Sequence, residues 1–520
     1  MIWFAYLVFG MYLVTLTYVT IYCVLQFNLL IQYTWKAPRF RERQKKFLQQ
    51  KEANALLSKP VLVPAGAEAS ADEPEDLPFI TVQLPIYNEK YVIERLIDVI
   101  MEFDYPKDRF EVHVLDDSTD DTVDLVAERV GHYQKQGFQI QQIQRENRTG
   151  YKAGALRDAM PFAKGDFIAI FDADFLPRKD FLRKTIPFFD DKKVGVVQTR
   201  WEHINENYSL LTRLQAIQLN VHFSVEQFGR MAGDHFLQFN GTAGVWRRQT
   251  IEEAGGWEAD TLTEDLDLSI RAQIKGWKIE FLEAIGSPAE LPAEMNSLKS
   301  QQFRWMKGGA ETAKKMLPTV WRAPLSMRKK FHATFHLLSS TVFLFVFLMG
   351  LFSVPLLFFI GEANVLGING DFFAIFLVGL FSIISIYFVA NVTASYNKGP
   401  WWKRILKFLV LFPLFLALSM GLSLHNSVAV IQGYLGKRSP FIRTPKFNIK
   451  SIKDSFSQNI YINRKLSWTT VFEGIMALYF AFAVIWAAFA GEFTFIIYHI
   501  MLAIGFGLIF VFTIKHVSLK

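Results

Sequence analysis

The stretch Phe110-Glu111-Val112-His113-Val114-Leu115-Asp116-Asp117-Ser118-Thr119-Asp120 decides how this chain folds. Its first six residues are apolar at alternate positions and predict a β-strand over 110–115, and a helical pattern follows over 122–136. Strand and helix patterns go on alternating between about residues 79 and 198, which predicts a mostly parallel sheet flanked by helices. Ligands of such sheets bind beyond the carboxyl ends of the strands, where this stretch carries three acids.

Acids also follow two other predicted strands. The strand 79–84 leads into Pro85-Ile86-Tyr87-Asn88-Glu89, and the strand 168–171 leads into Asp172-Ala173-Asp174. Each acid alone has a simpler explanation, because Asp after a strand commonly caps the next helix. At successive strand ends, however, they predict an acidic cleft that binds a divalent cation, Mg²⁺ or Mn²⁺, together with substrate phosphates. Lys152 would add a point charge for a diphosphate, unless it is a solvated lysine in the first turn of a helix.

Two later motifs each leave two interpretations open. Thr263-Glu264-Asp265 opens a predicted helix, where Thr would serve as N-cap and the acids would favour the helix dipole. The alternative makes Asp265 a general base. Gln301-Gln302-Phe303-Arg304-Trp305 lies on another predicted helix, which is either a surface helix with one buried aromatic residue or part of a site.

Composition points to a membrane protein. Of the 520 residues 51% are hydrophobic, and 50 are Phe, which is too apolar for an ordinary soluble protein. The net charge of +7 comes from basic residues that lie beside apolar runs, which favours positive-inside flanks over nucleic-acid binding. The single cysteine, Cys23, excludes a disulfide framework or a Cys-based zinc site within one chain.

Five apolar runs predict membrane-spanning helices. They cover residues 2–33, 333–360, 372–396, 468–490 and 493–514. The basic residues from Lys36 to Lys51 place the segment after the first helix in the cytoplasm and the N-terminus outside. The apolar stretch 405–435 is too short for two crossings, and one crossing would put the basic segment 437–453 outside. We therefore predict an interfacial or re-entrant helix there, the alternative being a plain span that breaks the charge rule.

Four motifs occur in an order that is typical of one family. Asp116-Asp117, Asp172-x-Asp174, Thr263-Glu264-Asp265 and Gln301-x-x-Arg304-Trp305 together resemble the D, DxD, TED, QxxRW signature of processive family 2 glycosyltransferases, to which cellulose, hyaluronan and chitin synthases belong. The stretches 146–156, 239–247 and 301–305 are similar to the cellulose-synthase-like group that makes mannan, glucomannan and xyloglucan backbones. The resemblance implies a GT-A-type (Rossmann-like) α/β domain in the cytosol and an α-helical transmembrane bundle.

A fifth motif extends the resemblance. Phe441-Ile442-Arg443-Thr444-Pro445-Lys446 is similar to the FxVTxK gating loop of bacterial cellulose synthase, with Arg443 in place of Val. In the family this loop lies on the cytosolic side over the donor site. That location agrees with the charge argument against a full span at 405–435.

The resemblance also implies residue roles. Asp265 is the catalytic base, and Asp172 and Asp174 are the metal ligands. The nucleotide-sugar site comprises Glu89, Asp116, Asp117, Lys152, Asp172, Gln301, Arg304, Thr444 and Lys446. The acceptor site comprises Asn240, Gly241, Thr242, Glu264 and Trp305.

The function implied is that of an inverting β-glycosyltransferase. It transfers a hexose from UDP-glucose or GDP-mannose, of which we favour UDP-glucose, to a growing β-linked (β-1,4) polysaccharide and translocates the product. The alternatives are a single-transfer enzyme that makes a glycolipid and a non-catalytic membrane transporter or scaffold. The expected partners are the donor, a glycan or lipid acceptor and the lipid bilayer, without nucleic acid. The sequence does not identify partners for export. We expect a multi-pass protein of the bacterial inner membrane, because plant-type insertions are lacking and the termini are short.

These inferences predict seven segments. They are a transmembrane helix (1–35), a basic juxtamembrane segment and linker (36–76), the GT-A domain with interfacial helices (77–330), two transmembrane helices (331–400), an interfacial or re-entrant helix (401–436), a cytosolic gating-type loop (437–466) and two transmembrane helices (467–520).

Overall fold

A seven-stranded sheet organises the polar part of the chain. The computed structural model describes residues 2–57, 77–359, 376–397, 399–439, 444–449, 460–461 and 466–518. The strands are β1 (Ile80–Ile86), β2 (Phe110–Asp116), β3 (Ile140–Gln144), β4 (Phe167–Ile170), β5 (Val194–His203), β6 (Gly244–Arg247) and β7 (Lys278–Ala289). Their order is β3-β2-β1-β4-β6-β5-β7. All neighbours pair in parallel except β6, which is antiparallel to β4 and β5, so the predicted mostly parallel α/β sheet is confirmed.

Helices cover both faces of this sheet. They are α3 (Ile93–Met101), α4 (Thr122–Lys135), α5 (Tyr151–Ala159), α6 (Phe181–Thr185), α7 (Leu210–Val221), α8 (Gln227–Ala232), α9 (Arg248–Glu253) and α10 (Glu264–Ile274). On α3 the buried residues Ile93, Leu96, Ile97 and Ile100 recur at helical spacing and form one apolar stripe. This stripe packs in the same core as the strands β1 and β2.

Strand register brings the acidic segments to one edge of the sheet. Ile86, the last residue of β1, pairs with Asp116, the last residue of β2. Ile170, at the end of β4, pairs with Gly244, the first residue of the antiparallel strand β6. The loop that precedes β6 therefore reaches the same edge as the segments that follow the parallel strands. The acids that follow β1, β2 and β4 and the loop that precedes β6 thus meet at one edge.

The predicted juxtamembrane segment is a helix that covers an edge strand. The first two helices are α1 (Ile2–Trp35) and α2 (Ala37–Leu57). From α2, Arg41 Nε lies 2.6 Å from Glu283 Oε2, and Gln44 Nε2 donates to Glu280 Oε1 at 2.7 Å. Because β7 is the last strand of the sheet, these contacts shield its outer edge.

The remaining helices are long and mostly apolar. They are α11 (Met295–Arg322), α12 (Met327–Leu337), α13 (Val342–Leu357), α14 (Leu377–Phe388), α15 (Trp401–Gly421), α16 (Ser423–Tyr434), α17 (Trp468–Ala490) and α18 (Ile496–Ser518). Five helical stretches in the described part of the chain are long and apolar enough to cross a membrane: Trp3–Trp35, Met327–Leu357, Trp401–Gly421, Trp468–Ala490 and Ile496–Ser518. The number matches our prediction but the set does not, because Trp401–Gly421 qualifies whereas Leu377–Thr393 is shorter. Residues 372–375 of the predicted span 372–396 lie outside the described residues.

The stretch for which we predicted one interfacial or re-entrant helix forms two helices, α15 and α16. Near the start of α15, Lys407 Nζ lies 2.6 Å from Glu206 Oε1, and at the end of α16 Tyr434 O accepts from Lys314 Nζ at 2.8 Å. At the turn between them Gly421 crosses α18, where an added Cβ would lie only 2.4 Å from the carbonyl of Gly505. Both ends of the α15–α16 unit thus contact the α/β domain or α11.

Candidate active site

The predicted site residues converge on one cleft at the carboxyl edge of the sheet. The cleft holds about 1330 Å³ of empty space, open solvent included. The predicted residues that line it are Glu89, Asp117, Lys152, Asp172, Asp174, Asn240, Gly241, Glu264, Asp265, Gln301, Arg304, Trp305, Thr444 and Lys446. Glu89 and Lys446, the two that are farthest apart in sequence, are separated by 357 positions, so only the fold brings these residues together.

Two predicted residues lie behind the cleft instead. The Asp116 carboxylate is buried and accepts hydrogen bonds from Ser118 N at 2.9 Å and from Gln142 Nε2 at 2.7 Å. Thr242 is also buried, and its hydroxyl oxygen accepts from Asp172 N at 2.9 Å. In this structure both side chains hold loops of the cleft in place and do not line it.

The acids after β4 each contact a lysine from another segment. Asp172 Oδ1 lies 2.5 Å from Lys152 Nζ, which also donates to Gly241 O at 2.8 Å. Asp174 Oδ2 lies 2.7 Å from Lys446 Nζ. Burial lowers the pKa of Lys152, but the carboxylates of Asp172 and Glu264 outweigh this effect and leave the pKa above its ordinary value. The lysine therefore stays charged beside the acids.

Asp265 lies on the first turn of α10, at the floor of the cleft. Burial, followed by the charge of neighbouring Glu264, raises the pKa of Asp265 to about 7. The loop before β6 approaches Asp265 closely, and this approach requires glycine at position 241. Gly241 has a φ of +76°, and an added Cβ would lie 3.1 Å from Asp265 Oδ2. Thr263 occupies the N-cap position of α10 as predicted, but its side chain makes no cap hydrogen bond, and its Oγ1 lies 3.0 Å from Thr312 Oγ1.

Helix α11 presents its motif to the cleft. Its first turn is capped by Glu294, which accepts from Asn296 N and Ser297 N. Gln301, Arg304 and Trp305 then occupy positions i, i+3 and i+4, which share one face of a helix. Because all three line the cleft, the alternative of a plain surface helix is wrong. Arg304 Nη2 also donates to Thr444 Oγ1 at 2.7 Å.

Sequence reasoning missed several residues of the cleft. The Arg148 guanidinium carbon lies 3.3 Å from the centroid of the Tyr87 ring, and Arg145 Nε donates to Asp117 Oδ1 at 3.0 Å. His203 also lines the cleft, and burial lowers its pKa to about 4, so that it is neutral near pH 7. Tyr87 and Arg148 belong to motifs that we quoted but did not assign. The alternating pattern that we predicted ended at about residue 198, whereas β5 continues to His203 at the edge of the sheet.

A second cavity adjoins the cleft and is lined in part by the apolar helices. It holds about 1740 Å³ of empty space, open solvent included, and shares Asp265, Trp305 and Asn240 with the cleft. Beyond these residues its walls come partly from α7, α8, α10 and α11 and partly from α1, α12, α13, α14 and α15. The lining includes the side chains of Tyr22, Val346, Tyr387 and Ser419.

Another acidic cluster lies away from the cleft. The carboxylates of Glu258, Asp260 and Asp267 lie within 4.8 Å of one another. Lys315 Nζ lies among them, at 2.5, 2.8 and 3.1 Å from these three side chains. An ammonium group thus already supplies the positive charge that a metal ion would bring.

The mixed sheet, the acids at its carboxyl edge and the adjoining apolar helices define the class: a GT-A-type glycosyltransferase domain joined to membrane helices. Residues 78–308 match the family model described as "Glycosyltransferase like family 2". This match covers a little under half of the chain, so the α/β domain is similar to glycosyltransferase family 2, and the relatives below are similar to it in the way that the motifs indicated. The five apolar helical stretches make it an integral membrane protein.

Two curated relatives from plants illustrate the similarity. "Probable glucomannan 4-beta-mannosyltransferase 6" of Oryza sativa subsp. japonica is 40% identical over 331 residues, which are 62% of this chain and 57% of the relative. "Glucomannan 4-beta-mannosyltransferase 7" of Arabidopsis thaliana is 41% identical over 275 residues, 51% of this chain and 50% of the relative. The chain thus spans about half the length of the curated relatives it matches. Since both are plant proteins, they give no support to the bacterial inner membrane that we expected.

Solved structures match more weakly. The mannosyltransferase PcManGT from Pyrobaculum calidifontis, in complex with GDP-Man and Mn²⁺, is 19% identical. The match covers 73% of this chain and 100% of that one, with a TM-score of 0.42.

Proposed function

We propose that this chain is an inverting β-glycosyltransferase that elongates a β-1,4-linked glycan and passes the product into its membrane helices. The observation that carries the proposal is that the acidic cleft and the second cavity share the lining residues Asp265 and Trp305. An acceptor glycan whose reacting hydroxyl lies at Asp265 would have its other end in the second cavity. An aromatic ring beside that junction supplies the flat apolar face against which a sugar ring packs.

The donor would lie at the other end of the cleft. Asp172 and Asp174 fit a hard divalent cation, because their described contacts with lysines use Oδ1 of one and Oδ2 of the other, which leaves an oxygen of each carboxylate for a metal. Such an ion supplies charge neutralisation for the diphosphate leaving group. Lys152 and Arg304 add positive charge for the same group, and Tyr87 with Arg148 offers a stacked platform for the nucleotide.

Asp265 is suited to act as the general base. A bond forms between an acceptor hydroxyl oxygen and the anomeric carbon while the bond from that carbon to the diphosphate oxygen breaks. The hydroxyl proton passes to the Asp265 carboxylate, and the nucleoside diphosphate leaves with the electron pair. A carboxyl group with a pKa of about 7 is basic enough to take this proton near neutral pH.

The names of the relatives support mannose as the transferred sugar, in place of the glucose that we favoured from the sequence. The experiment is a donor panel with purified full-length protein, reading released GDP or UDP and the linkage of the product. We expect turnover with GDP-mannose and a β-1,4-linked product. If the protein released no nucleotide from GDP-mannose and none from UDP-glucose, the proposal would be refuted.

Blocking the second cavity should shorten the product. Ser419 lines this cavity from α15, and replacing it by Trp fills part of the path with an indole ring. We expect Ser419→Trp to reduce polymer length several-fold while transfer of one sugar to a short soluble acceptor continues. Val410→Trp is the matched control, since Val410 lies on the same helix with its side chain exposed to the outside. Equal polymer lengths in both variants would contradict translocation through this cavity, and a glycolipid product would support the single-transfer alternative.

We also propose that α15 and α16 form a re-entrant unit and that the chain crosses the membrane five times, through α1, α12–α13, α14, α17 and α18. Lys407 and Lys314 support this topology, because their contacts tie both ends of the unit to the side that carries the α/β domain. The predicted domain boundaries follow from this arrangement, with the catalytic domain and residues 437–466 in the cytosol. Residues 440–443, 450–459 and 462–465 of the predicted gating-type loop lie outside the described residues.

Cysteine labelling tests this topology. In a Cys23→Ala background, Arg438→Cys places a thiol at an exposed position directly after α16, and Trp3→Cys places one at the exposed N-terminal end of α1. With a membrane-impermeant thiol reagent on intact cells, we expect labelling of Trp3→Cys but not of Arg438→Cys, and the reverse in inverted vesicles. Labelling of Arg438→Cys from outside would refute the re-entrant unit.

A further inference from the structure

Residues 444–449, here called the cover segment, lie over the cleft without helix or strand structure. Two of their contacts go to predicted motif residues: Thr444 accepts from Arg304, and Lys446 pairs with Asp174. Two further contacts go to Arg95 and Glu290, which belong to no motif in the sequence. Because such a segment has no backbone ladder of its own, its position depends on side-chain contacts of this kind.

Arg95 contacts the cover segment from one side of the cleft. It lies on α3, the helix that follows β1, and its Nη1 donates to Asn448 Oδ1 at 2.6 Å. Its Nε and Nη2 are buried and have no hydrogen-bond partner among the described residues. Burial lowers the pKa of Arg95, while the carboxylates of Glu290 and Asp174 oppose that effect. Among the described residues, the hydrogen-bond partner of this guanidinium is therefore Asn448.

Glu290 contacts the cover segment from the other side. It follows β7 directly and is 4% exposed. Its Oε1 accepts from Phe447 N at 2.9 Å, and its own backbone N donates to Asp174 Oδ2 at 3.3 Å. Glu290 therefore connects the cover segment to the acid that Lys446 also contacts.

We infer that Arg95 and Glu290 are positioning residues that hold the cover segment closed over the donor end of the cleft. The inference rests on the proposed function for what the closed segment achieves, namely exclusion of water from a bound nucleotide sugar. Glu290 lines the cleft and Arg95 does not, and both are proposed to act through the cover segment. They fix Phe447 and Asn448, so that Lys446 and Thr444, earlier in the same segment, point into the cleft.

Thiol accessibility tests the closed position without reference to catalysis. Ile449, at the end of the cover segment, is 1% exposed, so Ile449→Cys in a Cys23→Ala background should react slowly. We expect Arg95→Ala or Glu290→Ala to raise the labelling rate about tenfold, the scale set by loss of one charge-assisted hydrogen bond. Glu290→Gln keeps an acceptor oxygen for Phe447 N and should label at close to the parent rate. Ile97→Cys, fully buried on α3, is the matched control and should not change.

Variants on the cover segment give the same test without altering the α/β domain. Asn448 has a φ of +57°, which both Gly and Asp tolerate. Asn448→Gly removes the partner of Arg95 and should speed labelling of Ile449→Cys, whereas Asn448→Asp adds a charge to the bond and should slow it. Unchanged labelling in both variants would overturn the inference, even if Arg95→Ala failed to fold.

Kinetics separate this inference from the proposed function. For Arg95→Ala we expect the apparent KM for the donor to rise several-fold and the hydrolysed share of the donor to increase, with a smaller fall in kcat. The separate variant Glu290→Gln should keep kinetic constants close to those of the parent protein. If the parent protein transfers no sugar but labelling still responds as expected, the proposed function fails and the positioning role stands. If the parent is active and labelling does not respond, the positioning role fails alone.

Discussion

Replacing Asp265 by Asn is expected to lower turnover by a factor of about 10² or more, equivalent to roughly 2.7 kcal/mol of transition-state stabilisation. The amide has nearly the same shape and can still accept the hydrogen bond from Leu266 N, so α10 and the donor site should stay intact. The amide cannot take a proton from the acceptor hydroxyl. Turnover of the purified variant and its donor affinity by calorimetry are the measurements, and the affinity should stay close to that of the parent protein.

The same assignment predicts a pH profile. Because burial raises the pKa of Asp265 to about 7, the basic carboxylate is lost as the pH falls through this value, and kcat should fall with it. Asp260→Asn is a suitable control, since Asp260 is an exposed acid of the preceding loop that does not line the cleft. Near-parent turnover in Asp265→Asn would show that another group is the base.

Removal of divalent cations should abolish activity altogether. Excess EDTA would leave the diphosphate without the ion that Asp172 and Asp174 are suited to hold, and the leaving group would then carry its full charge. We expect activity to return on adding Mg²⁺ or Mn²⁺. Calorimetry with the nucleoside diphosphate gives an independent readout, because its affinity should fall when the metal is withdrawn.

Single variants locate this metal effect. Asp172→Asn and Asp174→Asn should each raise the metal concentration needed for half-maximal activity, on the order of tenfold or more. Asp260→Asn tests the other acidic cluster and should leave the metal requirement unchanged, because Lys315 already neutralises that cluster. Full turnover in excess EDTA would rule out the metal site.

The sequence alone located most of the cleft, since strand and site are adjacent in the chain. Asp117 and Asp172 each follow a strand within two residues, and parallel pairing sends the ends of these strands to one edge. The local sequence pattern thus predicted that two residues far apart in the chain lie close together in space. The same logic could not show that Asp116 turns inward, because which of two consecutive acids faces the cleft depends on the hydrogen bonds of Ser118 and Gln142.

The membrane helices show a second limit. Hydropathy identifies α15 as apolar, but it does not separate a helix that faces lipid from one that packs against protein, because both surroundings favour the same side chains. The contact between Gly421 and Gly505, and the polar contacts at both ends of the unit, appear only once the helices are packed.

The sequence by itself determined the α/β class, the resemblance to family 2 glycosyltransferases and the acids and lysines of the cleft, because strand periodicity and motif spacing are properties of short stretches. Tertiary structure alone decided that Arg95 and Glu290 meet the cover segment, since they lie 353 and 157 positions from Asn448 and Phe447 in the chain. No local pattern marks such residues. Their positions follow from how α3 and the end of β7 pack around one edge of the sheet, and packing of this kind is set by the whole core.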